Sequence, residues 1–235
     1  MANILSIESA VSGFSVAVHR EGVLSSSVEL LNERVASSQL TTAITQAVGF
    51  SELEINDLDA IAVSEGPGSY TGLRIGVSTA KGLCVALDLP LISVSTLELM
   101  CYGLNLPHLE KLILCPLIDA RRMEVYTALF DLKTKECLEE VSAKIVDENT
   151  FEEILLDNKV LFFGNGAEKI KALYGGGGSS NTLFLPEVHR PAAKDMGVVA
   201  WRNFENKEFQ PLVEFEPQYL KPYFATTPKN QLSPQ

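Results

Sequence analysis

The chain has 235 residues, of which 46% are hydrophobic and 21% charged, and its formal net charge at pH 7 is −11. A chain of this size and composition can bury a large core, and no apolar run is long enough to span a bilayer. Because 30 acidic residues outnumber 19 basic ones and no basic run exists, we exclude a broad surface that grips nucleic-acid phosphates and expect any such surface to come from a partner.

The start of the chain and its cysteines favour a cytoplasmic location. The sequence opens Met1-Ala2-Asn3-Ile4, without the basic region and apolar run of a cleavable signal. The cysteines are widely spaced and form no CxxC pair, which predicts reduced core residues and not disulfides. They are Cys84, Cys101, Cys115 and Cys137.

The first segments predict three strands, an amphipathic helix and a fourth strand. They cover residues 4–8, 14–19, 23–30, 37–48 and 57–64, with the helix at 37–48. His19 alternates outward from Val16 and Val18, which predicts a half-exposed strand histidine and not a metal ligand.

A glycine loop follows the fourth strand and opens a helix. Its sequence, Gly66-Pro67-Gly68-Ser69-Tyr70-Thr71-Gly72, allows unusual backbone angles, and Ser69 or Thr71 can cap the helix that follows. Such a corner could bind an anion, or it could be a structural turn that brings strand and helix together. Since no Gly-Lys-Ser/Thr follows, the loop is not a Walker NTPase loop.

The helix after the loop has two faces that both look buried. One apolar stripe, typical of packing on a sheet, contains Leu73, Val77, Ala80, Cys84 and Leu87. A second stripe of small residues contains Gly72, Gly76, Thr79, Leu83 and Ala86. Each interior glycine costs roughly 1 kcal/mol relative to alanine, so this stripe predicts a close neighbour, either a helix of the same domain or one of a second subunit.

The rest of the chain predicts a strand, a short helix, a domain boundary and a second α/β half that begins with three strands as the first does. The predicted domains are 1–106 and 107–225, followed by a disordered tail over 226–235. Gly164-Asn165-Gly166 is expected to be a turn that opens a helix, Gly175-Gly176-Gly177-Gly178 a surface loop, and 192–206 the last helix.

Spacing identifies no catalytic residue and no metal ligand. The only histidines are His19, His108 and His189, and none of them forms a pair on a helix face. Asp119 beside Arg121 and Arg122 could form a polar site, although a charged hairpin turn also explains them.

Four motifs resemble the TsaB family, formerly called YeaZ. They are Ile7-Glu8-Ser9, the glycine loop through Gly76, Asp119-Ala120-Arg121-Arg122-Met123-Glu124-Val125-Tyr126, and Pro217-Gln218-Tyr219-Leu220. The resemblance implies a two-lobed actin-like ATPase (ASKHA) fold in which each lobe is a mixed β-sheet with flanking helices.

The resemblance also implies a function. Members of this family support formation of threonylcarbamoyladenosine next to the anticodon of tRNAs that read ANN codons. They are non-catalytic partners of TsaD, the metal-binding paralogue that transfers the group, and of the ATPase TsaE, while TsaC makes the activated intermediate. The implied protein has no cofactor of its own, binds tRNA weakly when alone and forms a homodimer when TsaD is absent.

The resemblance further implies site residues. The first two helices are expected to form the subunit interface, through Leu40, Ile44, Gly72, Gly76, Thr79, Leu83 and Ala86. ATP or ADP could bind at the junction with TsaD, contacted by Gly66, Gly68, Ser69, Thr71, Gly164 and Gly166.

Two departures from the family pattern bear on these expectations. Glu8 stands where Asp is common, which weakens any claim that ATP or Mg²⁺ binds in the cleft, and Ala36-Ser37 stands where His-Ser is usual. The alternative is an enzyme on the same fold, either an ASKHA-type phosphotransferase or a glycoprotease-like peptidase. It would need a catalytic base, a metal set or an activated nucleophile, and the sequence offers none by spacing.

Overall fold

The computed structural model describes residues 1–32, 36–106, 111–174 and 180–221. The first sheet contains β1 (Asn3–Glu8), β2 (Phe14–Arg20), β3 (Val23–Leu30), β4 (Ala60–Gly66) and β5 (Leu91–Ser95). The second sheet contains β6 (Leu112–Asp119), β7 (Glu124–Asp131), β8 (Cys137–Ile145), β9 (Lys159–Phe163) and β10 (Thr182–Phe184). The helices are α1 (Ala36–Phe50), α2 (Tyr70–Leu87), α3 (Thr96–Tyr102), α4 (Glu152–Asp157), α5 (Ala167–Tyr174) and α6 (Gly197–Glu205).

The two sheets have the same strand order. The first runs β3-β2-β1-β4-β5 and the second β8-β7-β6-β9-β10, and in both the first three strands are antiparallel while the last two run parallel to the central strand. This repeat confirms the predicted two-lobed fold with a mixed sheet in each lobe. The short strand β10 was not among the sequence predictions.

Helices cover both faces of the first sheet. The β1 residues Leu5 and Ile7 share a core cluster with α1 and α2, whereas Ile4 belongs to the cluster that α6 completes. Strands buried on both faces read as continuous apolar runs and not as alternating ones, which is why β1 and β4 are so apolar. Helix α3 lies between the sheets, with Leu99 in a first-sheet cluster and Leu97 in a second-sheet cluster.

The C-terminal part returns to the first lobe. The Ala193 amide donates to Ser15 Oγ of β2 (2.8 Å), and Gln210 forms an antiparallel bridge with Leu91 of β5. The predicted C-terminal domain of 107–225 is therefore not one contiguous unit, because α6 and the residues after it pack on the first sheet. Without α6, the apolar face of β1, β4 and β5 would stand open to water.

Three local expectations need comment. The predicted helix over 192–206 is a 3₁₀ turn at Ala193–Asp195 followed by α6. Cys84, Cys101 and Cys115 are buried thiols as predicted, but Cys137 is exposed because it begins the edge strand β8. The Gly175–Gly178 run, the tail from Thr226 to Gln235, and His108 lie outside the described residues.

His19 is buried, so the expectation of a half-exposed strand histidine is wrong. Its Nε2 lies 3.0 Å from the Lys194 carbonyl and its Nδ1 lies 3.1 Å from Ser6 Oγ. A carbonyl only accepts, so Nε2 carries the proton and the neutral ring accepts from Ser6 at Nδ1. Strand alternation could not show this burial, because the segment that covers the ring comes from 175 residues farther along the chain.

Burial lowers the pKa of His19, against a smaller opposing effect of the hydrogen bond to Lys194. The unfolded chain therefore takes up a proton below about pH 6.5 that the folded chain resists, so the stability that neutral His19 contributes should be complete above that pH and be lost as pH decreases. We expect the free energy of unfolding of His19→Gln to rise relative to that of the wild type as pH falls from 7.5 to 5.5, measured by chemical denaturation. A difference between the two proteins that does not change with pH would contradict this.

Candidate functional site

The glycine loop joins β4 to α2 and is filled by the chain itself. Ser69 caps α2 by accepting from the Gly72 amide (3.3 Å), and the Ser69 amide donates to the Ala10 carbonyl (2.6 Å). A Cβ added at Gly68 would overlap Ala10, and one added at Gly66 would lie 3.0 Å from the Gln218 carbonyl oxygen. The structure thus favours the structural turn over the anion-binding corner.

The small-residue stripe of α2 has its close neighbour within the same chain. A Cβ at Gly72 would overlap the Ser9 carbonyl oxygen, and one at Gly76 would overlap Ser9 Oγ, which donates to the Gly72 carbonyl (2.9 Å). The neighbour is the loop after β1. It is neither a helix of the same domain nor a helix of a second subunit, which were the two alternatives that periodicity left open. These two glycines therefore give no support to a second subunit, and the packing role of Ser9 was missed because the sequence does not show which loop meets the helix.

We expect Gly76→Ala to destabilise the chain by about 1–3 kcal/mol, since the methyl group displaces Ser9 Oγ from its bond to Gly72. In a Ser9→Ala background the next atom is the residue-9 Cβ at 3.4 Å, so the same change should be neutral or gain up to about 1 kcal/mol of helix propensity.

The matched control is Gly82→Ala, at an interior α2 glycine whose added Cβ meets nothing within 4 Å. This change should stabilise the chain by about 1 kcal/mol in either background. Equal costs for Gly76→Ala with and without the Ser9 hydroxyl, measured by denaturant unfolding, would contradict the assigned contact.

The other predicted interface residues divide into two groups. Leu40 and Ile44 are buried against the first sheet, because the apolar stripe of α1 faces its own core. Their assignment to the subunit interface is therefore wrong, because these two side chains do not lie on the surface of the chain. Thr79 and Leu83 are half-buried and Ala86 is exposed, so the interface prediction still stands for these three.

Two large apolar side chains on α1 and α2 were missed by the prediction. Phe50 is 70% exposed at the end of α1, and Val85 is 73% exposed on α2 next to Ala86. Periodicity assigns apolar residues to the core, so their exposure could be read only from the folded chain.

The cleft next to the loop after β1 is small. Its larger cavity measures about 50 Å³ and is lined by Val11, Ser12, Met100, Ile118, Asn165, His189, Arg190 and Pro191. Typical small-molecule sites measure roughly 300 Å³ or more. None of the glycines, serine or threonine predicted to contact nucleotide lines this cavity or its neighbour, and from the Gly164–Gly166 turn only Asn165 does.

A buried carboxyl group lies at the end of β1. Glu8 Oε1 accepts from the Ala10 amide (2.5 Å), whereas Oε2 has no hydrogen-bond partner among the described residues. Burial raises the pKa of Glu8 to about 7, against a smaller opposing effect of the Ala10 amide. At neutral pH the group is therefore divided between acid and carboxylate.

Glu8 should make stability depend on pH in the opposite sense to His19. The unfolded chain loses the Glu8 proton near pH 4.5 and the folded chain near pH 7, so stability falls as pH rises between these values, by on the order of 3 kcal/mol. We expect Glu8→Gln to match the wild type at pH 4.5 and to exceed it at pH 8, measured by chemical denaturation. A variant less stable at pH 8 would contradict this.

The turn between β6 and β7 holds Asp119 in a network. Lys169 Nζ donates to Asp119 Oδ1 (2.6 Å) and to the Glu124 carbonyl (2.7 Å), and the Arg121 amide donates to the same carboxylate oxygen (2.6 Å). The Asp119 amide donates to Asn165 Oδ1 (2.9 Å), which links this turn to the cleft. The motif is therefore a charged hairpin turn whose acid is paired with Lys169 of the same chain.

Residues 213–221 form a C-terminal strap across the lobes. Lys81 Nζ donates to the Phe215 carbonyl (2.9 Å), and the Gln218 amide donates to the Glu65 carbonyl (2.7 Å) beside the glycine loop. At its end, Lys221 pairs with the Glu124 carboxylate in the second lobe. The strap contains the Pro217–Leu220 motif, and its structural role was not predicted from the sequence.

Two half-buried tyrosines and an exposed arginine form a cluster where the strap meets α2. The rings of Tyr70 and Tyr219 are 4.8 Å apart, Arg74 lies 4.4 Å above the Tyr70 ring, and its Nε donates to the Tyr219 hydroxyl (3.3 Å). This cluster fixes the strap at the first turns of α2.

Within 1–32, 36–106, 111–174 and 180–221, no three His, Cys, Asp or Glu side chains come together as a metal-binding group. In the same part of the chain, no helix has the length and apolarity needed to cross a bilayer.

Comparison with known proteins gives consistent matches. A family model described as TsaD, tRNA N6-adenosine threonylcarbamoyltransferase, matches residues 31–231. The tRNA threonylcarbamoyladenosine biosynthesis protein TsaB of Escherichia coli (strain K12) is 32% identical over 93% of this chain and 94% of its own length. TsaB of Bacillus subtilis (strain 168) is 30% identical over 93% of each chain.

Three further comparisons concern a part of the sequence and the fold. A tRNA N6-adenosine threonylcarbamoyltransferase of Staphylococcus aureus (strain Newman) is 43% identical, but over only 34% of this chain and 22% of its own length. The structure called YeaZ from Pseudomonas aeruginosa superposes with a TM-score of 0.74 at 23% identity, covering 94% of this chain and 100% of that one. An uncharacterized protein from the same organism, with similarity to peptidase YEAZ, superposes with a TM-score of 0.81 at 22% identity and the same coverage.

Proposed function

Because the chain belongs to the TsaB family, we propose that it acts in tRNA threonylcarbamoyladenosine biosynthesis as a non-catalytic partner of a TsaD transferase. The observation that carries this proposal is the share of each relative's length that aligns with this chain. The chain aligns with nearly the whole of the Escherichia coli TsaB, whereas its match to a transferase spans 22% of that protein.

The filled cleft supports the non-catalytic role. Ala10, Ser9 and Gln218 occupy the space beside the glycine loop, and the remaining cavity of about 50 Å³ is far below nucleotide size. The alternative, a phosphotransferase or a peptidase, needs an open cleft that aligns substrate with a base or nucleophile. The buried acid at the end of β1, Glu8, is held by a hydrogen bond from the Ala10 amide.

The exposed faces of α1 and α2 are the proposed docking surface for TsaD, and for a second copy of this chain when TsaD is absent. Phe50, Val85 and Ala86 are exposed apolar residues on these helices. Exposed apolar groups on neighbouring helices favour association with a partner helix pair.

Three finer features belong to the same proposal. TsaE joins the assembly, the reaction takes place in the cytoplasm, and any ATP or ADP binds at the junction with TsaD and not inside this chain. The last point follows from the small cleft, because a nucleotide would need walls that a second subunit supplies.

The test is Val85→Asp, which puts a charge into the proposed contact. We expect association with the TsaD of the same organism to weaken at least about tenfold, since an unpaired charge would be buried there. Complex formation would be measured by sedimentation and by co-purification, and folding by thermal unfolding.

The control is Val198→Asp, at a valine 59% exposed on α6, on the opposite face of the first sheet. This variant should bind TsaD like the wild type. If both variants bind equally well, the helix faces are not the interface, and if the wild type does not bind TsaD at all, the proposed function fails.

A further inference from the structure

We propose that the β6–β7 turn contacts the phosphate backbone of tRNA through Arg121 and Arg122 when this chain is assembled with its transferase. This inference rests on the proposed function and names an RNA-contacting element within it. In the sequence this turn is part of a family motif and a possible polar site, and the partner role does not account for its two arginines.

The backbone of the turn is unusual for its residues. Arg121 has a φ of 69° and Arg122 a φ of 49°, so two consecutive non-glycine residues adopt the left-handed conformation. Glycine adopts positive φ without a steric cost, and Asn tolerates it better than most other residues. Sequences keep such locally unfavourable choices mainly where function requires the side chains.

The two side chains are exposed and available. Among the described residues, neither guanidinium takes part in an ion pair or a side-chain hydrogen bond. The nearest acids in the turn are already engaged, because Asp119 pairs with Lys169 and Glu124 pairs with Lys221. The tip of the turn therefore keeps its positive charge on a chain whose net charge is −11.

Charge and shape together favour a phosphate strand as the ligand. Arg donates in a planar fork that matches phosphate oxygens. Lys169 and Lys221 are already paired with Asp119 and Glu124, so in the described part of the chain the free positive charge of this region is confined to the two arginines. A small cationic tip on an acidic chain suits a single backbone strand better than a broad protein face. So few contacts also agree with weak tRNA binding by the chain alone.

The test variant is Arg121→Asn/Arg122→Gly, which removes both charges and installs residues that adopt positive φ more readily than arginine does. Its melting temperature should equal or exceed that of the wild type. In the complex with TsaD, we expect weaker tRNA binding. The slope of log K against log salt concentration should fall by about 1.4–1.8, as two phosphate contacts predict.

The matched control is Lys133→Gln/Lys159→Gln, which removes two exposed charges from the opposite end of the same sheet. It should leave tRNA affinity and salt slope unchanged. tRNA binding would be measured by filter binding at several salt concentrations, with complex formation checked by sedimentation in the absence of RNA.

Several outcomes would overturn the inference. If the turn variant keeps the wild-type slope, the arginines do not contact RNA. If it loses TsaD binding without RNA present, they contact an acidic protein surface instead. Both results leave the proposed function intact, provided that the wild-type complex forms. A wild-type chain that fails to bind TsaD would overturn both.

Discussion

The loop after β1 lies directly against the first turns of α2, and much of the first lobe depends on this contact. Ala10 fills the space beside Gly68, and Ser9 fills the space beside Gly72 and Gly76. Only glycine permits a backbone to approach a helix this closely. The same contact fills the corner at the start of α2 where an anion would otherwise bind. The close packing of this loop is therefore also the reason why the corner is not open.

The duplicated sheets show that this arrangement has a counterpart in the second lobe. Gly66 follows β4 with a φ of 117°, and Gly164 follows the equivalent strand β9 with a φ of 102°. Gly164 packs against Leu117 of β6, the strand equivalent to β1. In each lobe, therefore, the strand parallel to the central strand (β4 or β9) ends in a glycine turn. This turn packs against the central strand or the loop that follows it. The cavity that Asn165 of the second turn lines measures about 50 Å³, well below typical small-molecule sites.

The C-terminal residues complete the first lobe and tie it to the second. Helix α6 covers an apolar face of the first sheet, and the strap runs from Lys81 past the glycine loop to Glu124. This return buries His19 and joins the lobes by hydrogen bonds and an ion pair, so a cut at residue 106 would remove part of the first lobe's own core.

The sequence alone determined the order of the elements apart from β10, a cap for α2 at Ser69 or Thr71, the sheet-facing stripe of α2 and, through four motifs, the family. These features depend on local spacing or on short patterns of residue type, which periodicity and turn chemistry can read. Only the tertiary structure decided what meets Gly72 and Gly76, where α6 packs, and that Leu40 and Ile44 face inward while Phe50 and Val85 face out. Those outcomes depend on which distant segments come together, and that pairing is set by burial of the whole chain and not by any local pattern.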